Sequence, residues 1–447
     1  MKLSKKFFAL TPLCALLGAG SAFATNGMLM EGYGPISTAM GGASQAYDHG
    51  TAAMAQNPAT LALGSAQPRL DLAVGFLGPK VTSSMPGMPE AASGGTSYMM
   101  PALGYVTRSG ALTYGVGMFA QGGMGTEYGS DSFLAMGSRD AARSELSVGN
   151  FILPIAYQVN PDVTVGATID YMWSGLDMLM AATPMQLGQM VTGGTGQLGG
   201  AISAGALNTA TWARLNFTDN DKFTGAAKAT GWGAKIGGTV KVSKDVTLGA
   251  SYRLKSALED MKTSSGGASM TANAGGASFA SFQDTGRISI INFQMPSVLA
   301  VGGSWQVRPD LMLVADIKSI GWAEVTKSFK MRFDSAQMGG SVSFELPQNW
   351  KDQTVLNLGM AWQANQQLTV RAGLNLADNP IPDMYVNPLF PATVKSHATV
   401  GFGYQATPVD AFNVALTFAP STSVTSGTGV TVSHAQTNLQ LMYTHRF

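Results

Sequence analysis

Histidine and serine are residue types that often support catalysis, and histidine is a common metal ligand. The four histidines, His49, His397, His434 and His445, match no metal-ligand spacing. Ser433 directly precedes His434 in an alternating stretch, so on a strand the hydroxyl and the imidazole would point to opposite faces. We therefore expect no catalytic residue, no metal site and no cofactor, and we do not expect an enzyme.

A glycine-rich stretch, "GTGQLG" at residues 194–199, matches the dinucleotide-binding pattern. It follows no predicted strand and opens no βαβ unit, so we do not interpret it as a nucleotide site. Charge is nearly balanced, with 27 basic and 26 acidic residues, or 27 − 3 = 24 basic residues when Lys2, Lys5 and Lys6 of the predicted signal are left out. This balance favours no nucleic-acid partner.

Two predicted loops, 131–143 and 177–207, are unusually apolar and could bind a hydrophobic ligand. Methionine suits such a surface because its flexible thioether fills irregular shapes. Arg139 and Arg143 beside these residues could meet a carboxylate. The alternative is that the residues only pack the two loops together as a cap. The candidate substrate-binding residues are Phe133, Leu134, Met136, Arg139, Met178, Met180, Leu187 and Met190.

Basic residues at predicted inward strand positions form a second set of candidates. Arg253 and Lys318 could hold the head group of a fatty acid, as could Lys235 and Arg371. Such residues more often pair with nearby acids or with backbone carbonyl groups. Both interpretations stay open at this point.

The strands that must position these residues are recognisable by strict alternation. In "TNLQLMYTHRF" (437–447), Leu439, Leu441, Tyr443 and Phe447 share one face and polar residues share the other. The same alternation recurs upstream, with no charge at an apolar-face position. A Lys or Arg facing mid-bilayer lipid costs about 2–4 kcal/mol, whereas the solvent face of a soluble sheet usually carries charges. The pattern indicates lipid outside and a lumen inside.

Composition and turn spacing predict the size of the sheet. Charged residues make up only 12% of the chain, and beyond residue 24 no run of 18 apolar residues occurs. Six tight polar turns separate strands, and a barrel of 2n strands with both termini periplasmic has n − 1 such turns. We therefore predict an all-β, 14-stranded antiparallel transmembrane β-barrel. The turns are 108–110, 160–162, 243–245, 308–310, 365–367 and 408–410, and the loops between them are roughly 80–95, 124–143, 176–222, 259–285, 320–350, 377–394 and 420–429.

The first 24 residues read as a signal peptide. A basic start precedes an apolar run from Phe7 to Leu17, which is too short to span a bilayer, and Ala22-Phe23-Ala24 fits a cleavage site. The only cysteine, Cys14, lies inside that run, so the mature chain would have no thiol. We expect location in the bacterial outer membrane.

Residues 32–63, "GYGPISTAMGGASQAYDHGTAAMAQNPATLAL", do not alternate and are too apolar for a disordered tail. Their Met-Gly-Gly-Ala core, followed by Asn57, Pro58 and Ala59, resembles the N-terminal hatch of FadL-type outer-membrane transporters for long-chain fatty acids and aromatic hydrocarbons. "FAQGGMGTEYG" (119–129), "DIKSIGWAEV" (316–325), "NWKDQTVLNLGMAW" (349–362) and "LTVRAGLNLADNPIPD" (368–383) extend the resemblance over most of the chain. It implies a hatch at 25–66 that plugs the lumen of a barrel at 67–447.

The resemblance also implies that cargo lands on a groove in the outer loops, moves to a pocket beside the hatch and leaves through the barrel wall at a kinked third strand. The residues themselves favour a kink there, since Gly122, Gly123 and Gly125 end strand three. Pro101 and Pro154 on the neighbouring strands cannot donate to the ladder. Ordinary barrel bulges are the alternative.

These observations predict a passive importer of hydrophobic molecules, either long-chain fatty acids or related hydrocarbons. The alternatives are a general hydrophilic porin and a structural or adhesive barrel. The expected partners are a hydrophobic small molecule, outer-membrane lipid and lipopolysaccharide, and the barrel assembly machinery, which commonly reads a C-terminal strand ending in a residue such as Phe447. We expect a monomer.

Overall fold

A computed structural model describes residues 26–221, 224–273 and 281–447. The predicted signal peptide (1–24), its cleavage site and Thr25 lie outside these residues. Within them, one antiparallel sheet contains 23 strands. The strands are β1 (Arg69–Ser84), β2 (Ala91–Ala92), β3 (Tyr98–Ser109), β4 (Leu112–Tyr128), β5 (Ala142–Asn160), β6 (Val163–Ala182), β7 (Val191–Thr195), β8 (Ala213–Phe217), β9 (Ala227–Lys241), β10 (Val246–Arg253), β11 (Ala257–Leu258), β12 (Met261–Lys262), β13 (Ala268–Ala272), β14 (Phe282–Ile291), β15 (Val298–Arg308), β16 (Leu311–Ile320), β17 (Ser328–Ser335), β18 (Ser341–Pro347), β19 (Gln353–Gln363), β20 (Leu368–Ala377), β21 (Ser396–Gln405), β22 (Asp410–Thr425) and β23 (Thr431–Arg446).

Helices in the described residues are short. The α-helices are α1 (Pro35–Thr38), α2 (Pro184–Met190), α3 (Gly196–Ser203) and α4 (Trp322–Val325). The 3-10 helices are Gly50–Ala55, Pro58–Leu63, Phe133–Ala135 and Asp383–Tyr385. None of the helices in the described ranges is long and apolar enough to cross a membrane.

Antiparallel pairing closes the sheet into a ring. β23 pairs with β1 along the whole length of both strands, from Arg69 opposite Arg446 to Ser84 opposite Thr431. Starting from β1, the ring passes through β3, β4, β5, β6, β9, β10, β15, β16, β19, β20, β21, β22 and β23. Closure joins the first and last strands of the ring, so neither is left as a free edge.

The prediction of fourteen strands is wrong for this sheet, which has 23 in the described residues. Nine strands are additional to the ring. Seven of them, β2, β7, β8, β12, β13, β17 and β18, lie in segments that we predicted to be loops, β14 begins in one, and β11 directly precedes one. Six of the nine form a strand extension beyond the end of β6, paired in the order β8, β13, β14, β17, β18 and β7. Counting tight turns at one end of a barrel cannot detect these strands, because they lie at the other end, next to residues 178–182 of β6.

The ring strands present apolar side chains outward, as the alternation predicted. Exposed large hydrophobic residues recur at every second position, for example Phe151, Leu153, Ile155 and Tyr157 on β5. The intervening positions are buried, and Asn150 and Ile152 among them face inward. An exposed face of this composition fits hydrocarbon rather than water.

Residues 26–64, hereafter the N-terminal segment, lie against inward-facing residues on opposite sides of the ring. Asp71 on β1 accepts hydrogen bonds from Thr51 N (2.8 Å) and Thr51 Oγ1 (2.9 Å). Across the ring, Asp316 on β16 accepts one from Ser44 N (2.6 Å), and Lys318 Nζ donates to Gly42 O (2.9 Å). These contacts satisfy backbone groups that burial removes from water.

Two inward glycines allow the backbone of this segment to approach the wall. A Cβ on Gly373 would lie 2.2 Å from Gly41 N, and one on Gly359 would lie 2.5 Å from the Met40 Cβ. Asn57 caps the second 3-10 helix, because Ala59 N donates to its Oδ1 (3.1 Å) while its Nδ2 donates to Gln45 O (2.8 Å). Pro58 is the first residue of that helix, where its missing N–H costs nothing.

Candidate functional site

The ladder between β3 and β4 ends part of the way along both strands. Pairing runs from Ser109 opposite Leu112 to Ala102 opposite Phe119. Beyond this point β3 continues in register with β1, and β4 continues in register with β5. The two strands therefore separate, and the ring has an opening in its wall between residues 98–101 and 120–128.

The N-terminal segment reaches into this opening. Leu29 forms an isolated antiparallel bridge with Gly122, and a bulge on β4 lies between Ala120 and Gly122. A Cβ on Gly122 would lie only 2.0 Å from Met28 O, so a side chain and this backbone cannot share the space. Gly122 is thus a position where close backbone approach requires glycine.

The other two predicted gate glycines border the opening, and their nearest neighbours are backbone atoms of β5. A Cβ on Gly123 would lie 2.5 Å from Leu146 O, and one on Gly125 would lie 2.7 Å from Ser144 O, both on β5. The β4–β5 ladder skips Gly115 and Val116, which lie opposite Pro154 and Leu153, and then resumes. The wall is open on the β3 side of strand β4 and only locally interrupted on the β5 side.

A cavity of about 420 Å³, hereafter the wall cavity, occupies the opening. Its lining includes inward residues such as Met100 and Val148, and outward residues such as Phe76 and Met99. It therefore extends from the lumen to the outer surface of the ring. Six of its lining residues are methionines, which suit ligands of varied shape and make favourable contacts with aromatic rings. They are Met28, Met30, Met99, Met100, Met118 and Met124.

A smaller apolar cavity of about 60 Å³, the inner cavity, lies beside the strand extension and is lined by residues of β6, β14, β17 and β18. Met28, Met124 and Leu146 line both this cavity and the wall cavity, so the two are neighbours separated by these side chains. Trp350 lines the inner cavity and packs edge-to-face on Trp322, with ring centroids 5.1 Å apart. Trp322 also packs on Gly27 of the N-terminal segment, where a Cβ would lie 2.7 Å from the indole.

The structure brings two of the predicted apolar loop residues to a cavity. Met178 and Met180 line the inner cavity, and both lie on β6, which continues through the segment predicted to be a loop. The others pack elsewhere in the described residues and line none of these cavities. Leu187 is buried in the apolar core of the strand extension, Phe133, Leu134 and Met190 are half-buried against it, and Met136 is half-buried in a left-handed conformation (φ 52°).

The predicted basic residues do not converge on the apolar cavities. Arg139 is exposed, and Arg143 is engaged by Glu145 (2.6 Å) and Asp177 (3.7 Å). Arg253 donates to Gln121 Oε1 (3.0 Å) and to Pro296 O (3.3 Å).

Arg253 and Lys318 line a third cavity of about 60 Å³, the basic cavity, together with Lys235. Lys235 forms an ion pair with Asp170. Leu29, Met30 and Glu31 line both the basic cavity and the wall cavity and so separate them. Lys235, Arg253 and Lys318 therefore have carboxylate, amide or carbonyl partners, as basic groups with a structural role usually do. Residues 29–31 lie between them and the opening.

Sequence reasoning missed Met28 and Trp350 as cavity residues. The apolar run "GMLM" (27–30), which begins two residues after the predicted cleavage site, could have indicated Met28. Trp350 lies in one of the motifs that carried the family resemblance, but the sequence alone does not indicate which face it presents.

The histidines are dispersed, and the described residues contain no group of three or more histidine, cysteine, aspartate or glutamate side chains placed to hold a metal ion. His49 is buried in the N-terminal segment, where its Nδ1 lies 3.1 Å from Tyr47 O. Burial lowers the pKa of His49 to about 4, because removal from water disfavours the charged imidazolium. His49 is therefore neutral at pH 7.

Comparison with known proteins finds a matching family model and similar solved structures. A family model described as "Outer membrane protein transport protein (OMPP1/FadL/TodX)" matches residues 14–446. The crystal structure of the Pseudomonas putida toluene transporter TodX is 30% identical, covers 93% of this chain and 99% of its own, and superposes with a TM-score of 0.84. The Ralstonia pickettii toluene transporter TbuX is 28% identical with the same coverage and a TM-score of 0.76.

A curated relative adds a local match. An uncharacterized protein from the 5′ region of the phosphoenolpyruvate carboxykinase gene of Chlorobium limicola is 61% identical over 49 residues. That match spans 11% of this chain and about a quarter (24%) of the relative's length.

Proposed function

Because this chain belongs to the outer membrane transport protein family that includes FadL and TodX, we propose that it imports hydrophobic molecules passively and releases them sideways through its wall. Members of this family are outer-membrane β-barrels that transport hydrophobic substrates, and the barrel fold agrees. The cargo class, the role of the N-terminal segment as a plug and the lateral route are our proposals. Cargo would move down its concentration gradient, since the polar saccharide layer outside blocks apolar solutes.

The observation that carries the proposal is the wall opening, which coincides with an apolar cavity that reaches the outer surface. Unpaired backbone groups facing hydrocarbon cost several kcal/mol each, so a gap of this kind persists only with compensating contacts. The bridge from Leu29 to Gly122 supplies one such contact. The opening would let cargo enter the bilayer without crossing the periplasmic end of the lumen.

A small aromatic hydrocarbon fits the wall cavity best. Two relatives near 30% identity are described as toluene transporters. In this chain, six methionines and Trp173 supply sulfur and ring contacts in a cavity of about 420 Å³. Met178 and Met180 of the inner cavity would bind cargo before it passes Met28.

The predicted hatch, residues 25–66, would act as the plug. Its hydrogen bonds to β1, β16 and β21 support this role, Gly41 N donating to Thr399 Oγ1 on β21 (3.0 Å). It occupies space that an open porin needs for ions. Deleting it should therefore raise the ion conductance of the barrel in planar bilayers.

Interactions at the periphery follow from the same proposal. Phe447 is exposed, although its ring packs edge-to-face on His445 with centroids 4.7 Å apart, and its backbone N–H donates to Pro68 O (3.0 Å). The assembly machinery would read the exposed part of this ring. The outward apolar face would contact outer-membrane lipid. The end of the barrel that carries the strand extension would contact lipopolysaccharide. The closed ring would function as a monomer.

A reversible cross-link across the opening tests the lateral route. Cys14 of the predicted signal is the only native cysteine, so Pro101→Cys with Ala120→Cys would be bridged selectively by a short cleavable thiol cross-linker. We expect cross-linking to abolish cargo uptake and reduction to restore it. Tyr105→Cys with Val116→Cys, a pair inside the intact β3–β4 ladder, is the matched control and should transport in both states. Normal uptake by the cross-linked 101–120 protein would rule out exit at this opening.

A further inference from the structure

We propose that Glu31 and Glu145 make the wall opening selective for uncharged cargo, so that hydrocarbons and other neutral molecules pass and carboxylates do not. This inference rests on the proposed lateral route. It separates neutral hydrocarbons from fatty-acid anions, a distinction that an apolar cavity alone does not make.

The charges that line the wall cavity have one sign. Glu31 and Glu145 contribute carboxylates, and no lysine or arginine among the described residues lines this cavity. His434 also lines it, and its Nδ1 donates to Pro391 O (2.7 Å) from a buried position. A cargo carboxylate would therefore find two carboxylates and no lysine or arginine in the lining of the passage.

The two glutamates lie on opposite sides of the opening. Glu31 accepts a hydrogen bond from Asn438 Nδ2 (3.3 Å) on β23, which belongs to the side formed by β23, β1 and β3. Glu145 lies on β5, in register with Gly125 of β4, on the other side. Cargo that crosses between β3 and β4 must pass between these two sides.

Nearby cations already have carboxylate or carbonyl partners. Arg143 has two carboxylates within 4 Å, those of Glu145 and Asp177, so it offers no excess positive charge to cargo. Lys318 donates to Gly42 O in the basic cavity, behind residues 29–31. A carboxylate in the opening could reach Lys318 only if the N-terminal segment moved away.

The energetic consequence follows from desolvation. An ionised carboxylate that leaves water for an apolar cavity loses hydration, and only a counterion or several hydrogen-bond donors can compensate. Two carboxylates in the same low-dielectric space add repulsion. A neutral molecule of the same length incurs neither cost, so the cavity discriminates by charge.

The test compares 1-decanol with decanoate, which share chain length and differ in charge at pH 7.5. Radiolabelled uptake would be measured in cells that carry the chain, after subtraction of uptake by cells that lack it. We expect a decanol-to-decanoate ratio of at least about tenfold. The double variant Glu31→Gln with Glu145→Gln should lower this ratio severalfold, and Gln436→Lys, which adds a cation to the cavity lining, should lower it by increasing decanoate uptake. A heat-modifiable gel shift would verify assembly of each variant.

Glu90→Gln is the matched control, because Glu90 is exposed in a loop and lines none of the cavities described here; its ratio should equal that of the parent chain. Equal uptake of decanol and decanoate by the parent chain would overturn the charge filter and leave the proposed transport intact. A preference for decanol that neither the double variant nor Gln436→Lys alters would exclude the two glutamates as its origin. Absence of protein-dependent uptake of both molecules would instead refute the proposed function, and the inference with it.

Discussion

The carbonyl oxygen of Met28 lies 2.0 Å from the position that a Cβ on Gly122 would take. The N-terminal segment and strand β4 thus meet at a point where only glycine fits, and Met28 is also one of the residues between the wall cavity and the inner cavity. Any side chain at position 122 competes directly with residues 28–29 for this space.

Gly122→Ala should therefore displace the start of the N-terminal segment. Steric overlap of this kind typically costs about 1–3 kcal/mol, which corresponds to an increase of about 5- to 150-fold in the displaced population. We expect faster proteolysis near residues 26–30 in mild detergent and an initial uptake rate at least equal to that of the parent chain. Gly75→Ala on β1 is the control, since its Cβ would meet nothing closer than 3.5 Å. Unchanged proteolysis would show that residues 28–29 do not hold this position in solution.

Met178→Ser with Met180→Ser should reduce uptake at limiting substrate concentration. Both side chains are buried and line the inner cavity, so polar replacements remove apolar contacts with cargo. Met178→Leu with Met180→Leu should retain most of the uptake, because volume and polarity are nearly kept. Met185→Ser on the exposed face of α2 should have no effect. If the serine pair transports normally, these methionines serve only to pack β6.

Asp71→Asn should loosen the N-terminal segment. Asp71 accepts hydrogen bonds from Thr51 and Thr444 and pairs with the buried Arg69 (2.9 Å), so the amide leaves that guanidinium with only the more distant Asp48 (3.8 Å) as a charge partner. Breaking a buried pair in this way typically costs about 3–5 kcal/mol. We expect a lower temperature for the heat-modifiable gel shift and a higher ion conductance. Asp162→Asn, in an exposed turn, should alter neither quantity.

His49 should make stability depend on pH in the acidic range. Burial lowers its pKa to about 4, below the unfolded value of about 6.5, so the unfolded chain binds more protons between these two values. This contribution to the free energy of unfolding is complete above about pH 6.5 and falls as pH decreases towards 4, by about 3 kcal/mol in total. The neighbouring charges of Asp48, Arg69 and Lys318 act on the same ring.

His49→Asn isolates this effect from that of other titrating groups. The asparagine amide can still donate to Tyr47 O but does not titrate, so the melting temperature should vary less with pH between 6.5 and 4 than in the parent chain. The measurement is the temperature of the heat-modifiable gel shift across that range. Identical pH profiles would mean that His49 does not remain buried and neutral in the folded protein.

The local pattern of the sequence determined the outward and inward faces of the ring strands, because side chains alternate with a period of two whatever a strand's partner is. In "TNLQLMYTHRF" the alternation alone assigned Leu441 to the exposed face. The sequence also indicated the family, because the motifs that resemble the family are contiguous stretches of chain.

Only the tertiary structure decided the number of strands, the position of the opening and the partners of the charged residues. β7, with the sequence VTGGT, becomes a strand because β18 pairs with it some 150 residues later in the chain. The sequence does not distinguish Pro101 from Pro154. The β4–β5 ladder is interrupted at Pro154 and then resumes, whereas the β3–β4 ladder ends next to Pro101. Arg253 and Lys318 were equally plausible ligand contacts until Gln121, Pro296 and Gly42 were found beside them. Each of these outcomes depends on contacts between residues far apart in the chain, which a pattern with a period of two does not encode.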